Sequence, residues 1–439
     1  MTVQALQAVP HLITANVGPI QLIESQLLSS QSRIEAWFRK QWQLTPAPFY
    51  ASVDLRNAGF KLAPVDTNLF PAGFNNLNET FMPLAYHATQ SAMQRLCPTA
   101  SNILIIPENH TRNVYYLESL ATLHHIISQA GYNVRIGSLL PDLDGARTVE
   151  LPSGRNVLLE SVRRQGDRLY VDDFSPCSIL LNNDLSTGIP SILENLSQTV
   201  IPPLAVGWTS RLKSRHFTLY KELANEFSQL IDIDPWLIDP LMRNCGCIDF
   251  MKREGSECLE KNVGELLVAI QQKYDEHKID KPPFVFIKAD AGSYGMGVMT
   301  VGSVDEVRNL NRKQRTSMDA TKEGRKVHKV IIQEGVYTSE TVGDNAVAEP
   351  VVYMIDQFVI GGFYRVHRQK THSDNLNSPG MHFEPLAFAE SCSSPDACRD
   401  PHDEPNRFYA YGVIARLALL AAAREYTGNA LAAETLVNL

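Results

Sequence analysis

Apolar residues recur along the chain in two rhythms, one helical and one extended, and these divide it into elements. Over 19–42, Ile20, Ile23, Leu27, Ile34, Trp37 and Phe38 keep the spacing of an amphipathic helix, which Pro46 and Pro48 end. Residues 49–56 read as a short strand and Asn57, Ala58 and Gly59 as a turn. A helix is predicted over 79–97 and a buried strand over 102–107. A helical pattern then runs to about Gln129, where Gly131 stops it, and a strand follows at 132–136. That is a strand–helix–strand unit of α/β type. Residues 141–175 read as β-ribbon and loops, 177–181 as a further buried strand, and 218–231 and 257–276 as helices. Later come a strand at 330–336, two strands about a turn over 349–367, and a mostly apolar helix over 407–426.

The stretch 284–301 begins and ends as an apolar run, the pattern of two buried strands. Between the runs lie Lys288, Asp290 and the glycines Gly292, Gly295 and Gly297. Such a hairpin can fold its backbone over a polyphosphate, because glycine puts no Cβ in the way of the N–H groups. Lysine supplies a point charge for phosphate oxygens, and an acid nearby suits a divalent ion. No Gly-Lys-Ser/Thr follows, so this is not a Walker loop. The run 298–301 continues as strand, so it is not a dinucleotide fingerprint either.

A second dense stretch is 60–77. If 62–68 is a strand, Asp66 and Asn68 project to one face, where a carboxylate and an amide oxygen suit Mg²⁺. The same pair also fits an Asx turn closing the loop before Pro71. The loop 108–113 follows a strand end, which makes Asn109, Arg112 and Asn113 candidates for ligand contact, whereas His110 fits a loop hydrogen bond equally well. Arg211, Lys213, Arg215 and His216 cluster within 208–216 and read first as a solvated helix start, with an anion contact as the alternative. The basic stretch 304–330 reads as an exposed helix and loop.

Composition narrows the class. The 439 residues allow two or three domains with proper cores, and 44% hydrophobic with 20% charged residues is ordinary for a globular protein. A net charge of -8 and a pI near 5.9 argue against a general nucleic-acid binder. Seven irregularly spaced cysteines suggest reduced thiols rather than a disulfide framework, and Cys245, Cys247 and Cys258 lack paired zinc spacing. The first ten residues have no signal-peptide character and no stretch is long enough to span a membrane, so the cytoplasm is the expected compartment. Nothing in the chain opposes a homo-oligomer.

The order of parts resembles the ATP-grasp superfamily. Lys288 and the Gly292–Gly297 loop, with Ser293 and Gly295 inside it, are similar to the lysine-bearing strand and Gly-rich lid. Gln333, Glu334, Gly335 and Val336 resemble the linker that meets adenine, and the run ending in Arg365 resembles the strand whose arginine meets the phosphates. ATP-grasp enzymes usually carry their acid-x-Asn metal motif after the lid, where only Asp374 and Asn377 offer poorly spaced substitutes. The permuted layout of eukaryotic-type glutathione synthetases places it early, where Asp66 and Asn68 stand behind Asp54 and Arg56. Over nearly the full length, the runs 54–77, 107–113 and 284–301 resemble a family of bacterial glutamate–cysteine ligases.

The resemblance implies an α+β and α/β fold: an ATP-grasp, glutathione synthetase-like, with an inserted α/β substrate domain. The expected divisions are 1–98 for the N-terminal helices and metal strand, 99–215 for the inserted domain, and 216–439 for the ATP-grasp domain with its lid. It implies ATP and Mg²⁺ as cofactors, glutamate and cysteine as substrates, and γ-glutamylcysteine formation through a γ-glutamyl phosphate. Lys288 and Arg365 would neutralise phosphate oxygens, Arg56 would meet the transferring group or a substrate carboxylate, and Asp66, Asn68 and Asp290 would hold the metal. Glutathione synthetase or another carboxylate–amine ligase is the rival within the class, and a non-catalytic nucleotide-binding protein the rival outside it.

Overall fold

The computed structural model describes residues 12–13, 19–109, 113–292, 297–319, 326–385 and 408–437. The helical pattern at the start forms two helices rather than one, α1 (Pro19–Ser29) and α2 (Gln31–Leu44), because Ser30 leaves the helical conformation between them. Two strands follow, β1 (Tyr50–Asn57) and β2 (Leu62–Asn68), then α3 (Met82–Leu96). The predicted strand–helix–strand unit is β3 (Asn102–Pro107), α4 (Val114–Gln129) and β4 (Asn133–Ser138), and β5 (Ser178–Asn182) lies beyond the ribbon. Next come α5 (Lys213–Ile231), β6 (Met242–Cys245) and α6 (Ser256–Glu276). The Gly-rich hairpin supplies β7 (Val285–Ala289) and β8 (Val298–Val301), and β9 is Val330–Glu334. The long strands β10 (Ala346–Ile355) and β11 (Phe358–His367) precede the closing helix α7 (Phe408–Val437).

These strands build three main sheets. The largest has seven strands, with β11 and β1 on opposite edges of β10 and β2 beyond β1. β10 is buried at every position. Its residues 346–348 pair with Glu340–Val342 and its residues 351–355 with β1, so Pro350, which has no N–H to give, falls between two partners on that edge. A six-stranded sheet with a parallel centre, in which β5, β3 and β4 are neighbours, is drawn from residues 102–201. A four-stranded antiparallel sheet runs β6, β9, β7, β8.

α7 packs against α5 and against β1 and β2, and it is buried at nearly every position from Tyr409 to Ala423. An all-round apolar helix of this kind belongs in a core. Two of its buried charged residues are paired: Arg416 reaches Glu35 at 2.7 Å, and Glu425 reaches Arg211 at 3.0 Å. Among the described residues, no helix is long and apolar enough to cross a membrane.

Candidate active site

Register places one charged stripe across four adjacent strands. Asp54 on β1 is opposite Asp66 on β2, and Val351 on β10 is opposite Asp54. Side chains two apart on a strand share a face, so Arg56 joins Asp54 and Glu349 joins the stripe from β10. Arg365 on β11 is opposite Glu349. The pairing follows the geometry: Arg365 Nη1 lies 2.6 Å from Glu349 and 2.8 Å from Asp54, and Arg56 Nε lies 2.9 Å from Glu349. Arg56 is further fixed because Nη1 donates to the Val336 carbonyl at 3.1 Å and Nη2 to the Asp374 carbonyl.

The facing wall comes from the small sheet. Phe286 and Lys288 share a face of β7, and the Phe286 ring lies between the two walls, 5.3 Å from the Arg56 guanidinium and 5.5 Å from Lys288 Nζ. Lys288 Nζ donates to Gln333 Oε1 at 2.7 Å, a diagonal neighbour on β9, and to the Val65 carbonyl at 3.0 Å. Val65 is the residue at which the β1–β2 register shifts: Asp54 pairs with Asp66, but Leu55 pairs with Pro64. A bulge frees a backbone group from the ladder, and here Lys288 takes it.

A third contribution is the first turn of α5. The helix begins at Lys213, earlier than the apolar pattern from 218 suggests, so Lys213, Arg215 and His216 form its start as read, but Lys213 and His216 are buried rather than solvated. Lys213 Nζ lies 2.6 Å from Asp66 Oδ1 and 4.3 Å from the centre of the Trp208 ring. Arg211 turns away into a buried cluster with Glu425 and His216.

Several predicted residues are brought together here. Arg56, Asp66, Lys288, Gly292 and Arg365 line a single cleft. Gly297, with φ +64, closes the hairpin base by accepting the Ala289 N–H at 3.0 Å. Ser293 and Gly295 lie outside the described residues, as do His110 and Arg112.

Other predicted roles need correction. Asp290 does not face the cleft: its carboxylate accepts the Ser214 N–H at 2.7 Å and the Ser214 hydroxyl at 2.8 Å, so it caps α5. A carboxylate satisfied by a helix N-terminus is already bonded where a metal would need it. Asn68 closes a local turn, accepting the Phe70 N–H at 2.9 Å, and does not line the cleft. Here the Asx-turn alternative describes the contact. Glu334 is buried in an ion pair with Lys61 at 2.7 Å and also accepts Trp236 Nε1 and the Leu241 N–H, so its side chain is structural. Val336 is buried, and its carbonyl serves Arg56.

The cleft also contains residues the sequence reading did not assign: Asp54, Lys213, Glu349, Asn375 and Asn377. Asn377 was at hand as a poorly spaced metal substitute, and Lys213 as a possible anion contact. For Glu349 no local signal exists, since only pairing with β11 and β1 brings it in.

The charges are mutually tuned. Burial pushes the Glu349 carboxyl up, but Arg56 and Arg365 outweigh it and hold it below the usual range. Burial raises Asp54, with Arg365 only partly opposing. Asp66 goes the other way: Lys213 and Lys288 overcome its desolvation and hold it at about 2. Desolvation lowers the Lys288 ammonium to about 8, and neighbouring Lys213 and Arg56 add to the effect while Asp66 resists it.

Two buried donors near this cleft have no partner among the described residues, Arg365 Nε and Gln333 Nε2. An unpaired buried donor is costly unless a ligand completes it. With Asp54 and Asp66 as hard oxygen donors beside four cations, the residues present fit a polyphosphate and a divalent ion. A wider open groove of about 1590 Å³ lies over α3, α4 and β4, and none of the predicted catalytic, nucleotide or metal residues lines it.

No curated protein matches the chain. A crystal structure from Methylobacillus flagellatus KT named "Putative gamma-glutamylcysteine synthetase" is 58% identical, with 96% of this chain and 99% of that one covered and a TM-score of 0.89. A glutathione synthetase-like effector from Globodera pallida is 10% identical over 83% of this chain and 79% of its own, with a TM-score of 0.35. D-alanyl-alanine synthetase A from Vibrio cholerae is 12% identical over 58% and 68%, with a TM-score of 0.28. Neither of these last two is close enough to carry an argument. A family model described as glutamate-cysteine ligase matches residues 24–426. The chain belongs to the glutamate–cysteine ligase family.

Proposed function

We propose that the chain joins the γ-carboxylate of glutamate to the amine of cysteine through a γ-glutamyl phosphate, using ATP in the cleft between the two sheets. The observation that carries this reading is the charged stripe Asp66–Asp54–Glu349–Arg365 facing Lys288 at the root of the Gly-rich hairpin. A γ-carboxylate oxygen attacks the terminal phosphorus of ATP and ADP leaves. The cysteine amine then attacks the acyl carbon, phosphate leaves with the carboxylate oxygen, and the amine proton passes to solvent or a phosphate oxygen. Such chemistry asks for positioning and charge neutralisation, not a protein nucleophile.

Lys288 and Lys213 neutralise phosphoryl oxygens from one side and Arg365, through its unpaired Nε, from the other. Arg56, locked by three acceptors, keeps Glu349 and the Val336 linker in place and contributes its charge at the cleft wall. Asp54 and Asp66 would hold Mg²⁺, which would supply positive charge to offset that of the phosphates, while Glu349, with both oxygens on arginines, sets the positions of Arg56 and Arg365. The backbone around Gln333–Val336 is our candidate for the adenine edge. We read the layout as a permuted ATP-grasp in the cytoplasm, with 1–98 and 216–439 forming the nucleotide half and 99–215 an inserted substrate domain. The sheet drawn from residues 102–201 between β2 and α5 supports that division.

The test is ADP release by the full chain with ATP and Mg²⁺ across amino-acid pairs, with product identified by mass. Glutamate plus cysteine should give ADP and γ-glutamylcysteine. Turnover only with γ-glutamylcysteine plus glycine would assign glutathione synthesis instead. ADP from no pair would favour a non-catalytic nucleotide binder.

A further inference from the structure

Away from the cleft, the end of β6 and the start of α6 bring two cysteines into contact. Cys245 is the last residue of β6, and Cys258 lies in the first turn of α6. Their sulfurs are 3.0 Å apart. Asn262, one turn further along α6, donates its amide N–H to Cys245 Sγ at 3.0 Å and lies 3.3 Å from Cys258 Sγ. The same amide also donates to the Cys258 carbonyl at 3.0 Å, so Asn262 holds both sulfurs side by side at the start of α6. The partners differ in access, since Cys245 is buried and Cys258 exposed.

Metal binding does not explain the pair. A structural zinc site needs four ligands. The group of metal-competent side chains found among the described residues is Asp234, Glu276 and His277, where Lys273 already bonds both carboxylates.

We propose that Cys245 and Cys258 form a reversible thiol–disulfide site that exchanges with low-molecular-weight disulfides. The Cys258 thiolate attacks one sulfur of the small disulfide, whose S–S bond breaks and releases one small thiolate. Cys245 gives up its proton to solvent and attacks the Cys258 sulfur, releasing the second. The protein loses two electrons and two protons, and the small disulfide becomes two small thiols. The protein sulfurs need to close by only about 1 Å to reach bonding distance. Burial, with Cys258 adding to it, pushes the Cys245 thiol up to about 12, which suits the resolving rather than the attacking role. The bridge would staple β6 to α6, and β6 pairs with β9, the strand whose Gln333 holds Lys288.

The experiment uses the reduced full chain with hydroxyethyl disulfide, a reagent with no amino-acid character, so its outcome does not depend on the ligase reading. Intact mass and peptide mapping should show a 245–258 cross-link with loss of two hydrogens, reversed by excess dithiothreitol. Cys245→Ser should stop at a mixed disulfide on Cys258, and Cys258→Ser should leave Cys245 unmodified. A wild-type chain that retains the adduct on Cys258 without forming the cross-link would overturn the proposal. So would an adduct on Cys245 in Cys258→Ser.

Discussion

The ammonium of Lys213 lies 2.6 Å from the carboxylate of Asp66, although 147 residues separate them. The contact joins the first turn of α5 to β2, the strand that carries Asp66, a proposed metal carboxylate. Removing either member should spare the fold and impair the reaction. Lys213→Met is expected to lower kcat by about 10²–10³, the usual loss when one preorganised charge-stabilising donor goes. Asp66→Ala should lose turnover altogether. ADP release and thermal unfolding measured on the same preparations check both, and a fully active Asp66→Ala enzyme would remove this carboxylate from the site.

A pH dependence follows from Lys288. Burial lowers its ammonium to about 8, so ATP affinity should fall as pH rises through that value and the lysine becomes neutral. The sign for stability is opposite. The folded value lies below the ordinary 10.5, so the unfolded chain keeps this proton to higher pH, and the cost of burying the charge declines between pH 8 and 10.5. Nucleotide titrations between pH 7 and 9.5 report the first effect. An affinity flat across that range would take Lys288 off the phosphates.

Lys61 and Glu334 form a buried pair at 2.7 Å, with Lys61 also 4.3 Å from the Trp236 ring centre. Lys61→Met leaves the carboxylate buried without its cation and should cost about 3–5 kcal/mol of stability. The double variant Lys61→Met with Glu334→Leu should recover part of that loss. Urea unfolding of the two variants distinguishes a structural pair from a nucleotide contact, because the structural reading requires the recovery.

Gly335 has no room for a side chain: a Cβ there would meet the Phe284 ring at 2.2 Å. Gly335→Ala should therefore destabilise by about 1–3 kcal/mol through overpacking. It should also weaken ATP binding, because the 333–336 backbone must shift. Adding Phe284→Leu should restore stability in part, as followed by thermal unfolding.

Part of the cleft's lining was legible because its residues lie close together in the chain. Lys288, Gly292 and Gly297 sit within ten residues of one another, and the apolar runs around them announce the hairpin. Asp66 was legible through the dense run 60–77. What sequence could not supply was register. Glu349 sits in an apolar strand, and only its pairing with Arg365 and its nearness to Asp54 make it part of a site. Asp290 misled for the same reason in reverse: its spacing from Lys288 suits a ligand, yet the chain returns 76 residues away to cap a helix with it. Lys213 looked like one of several solvated cations until Trp208 and Asp66 closed around it.

Asp290 and Lys213 have a joint effect that neither has alone. The Asp290 carbonyl accepts the Lys213 N–H at 2.8 Å, and its carboxylate holds the next residue, Ser214. The root of the hairpin and the start of α5 are thus one stiff joint, one arm leading to the glycines and the other to Asp66. A ligand that draws the Lys213 side chain would pull on the root of the hairpin through three hydrogen bonds to Asp290. The two halves of the cleft are therefore expected to fill cooperatively. By reciprocity, whatever factor the first occupant adds to the affinity of the second, the second returns to the first.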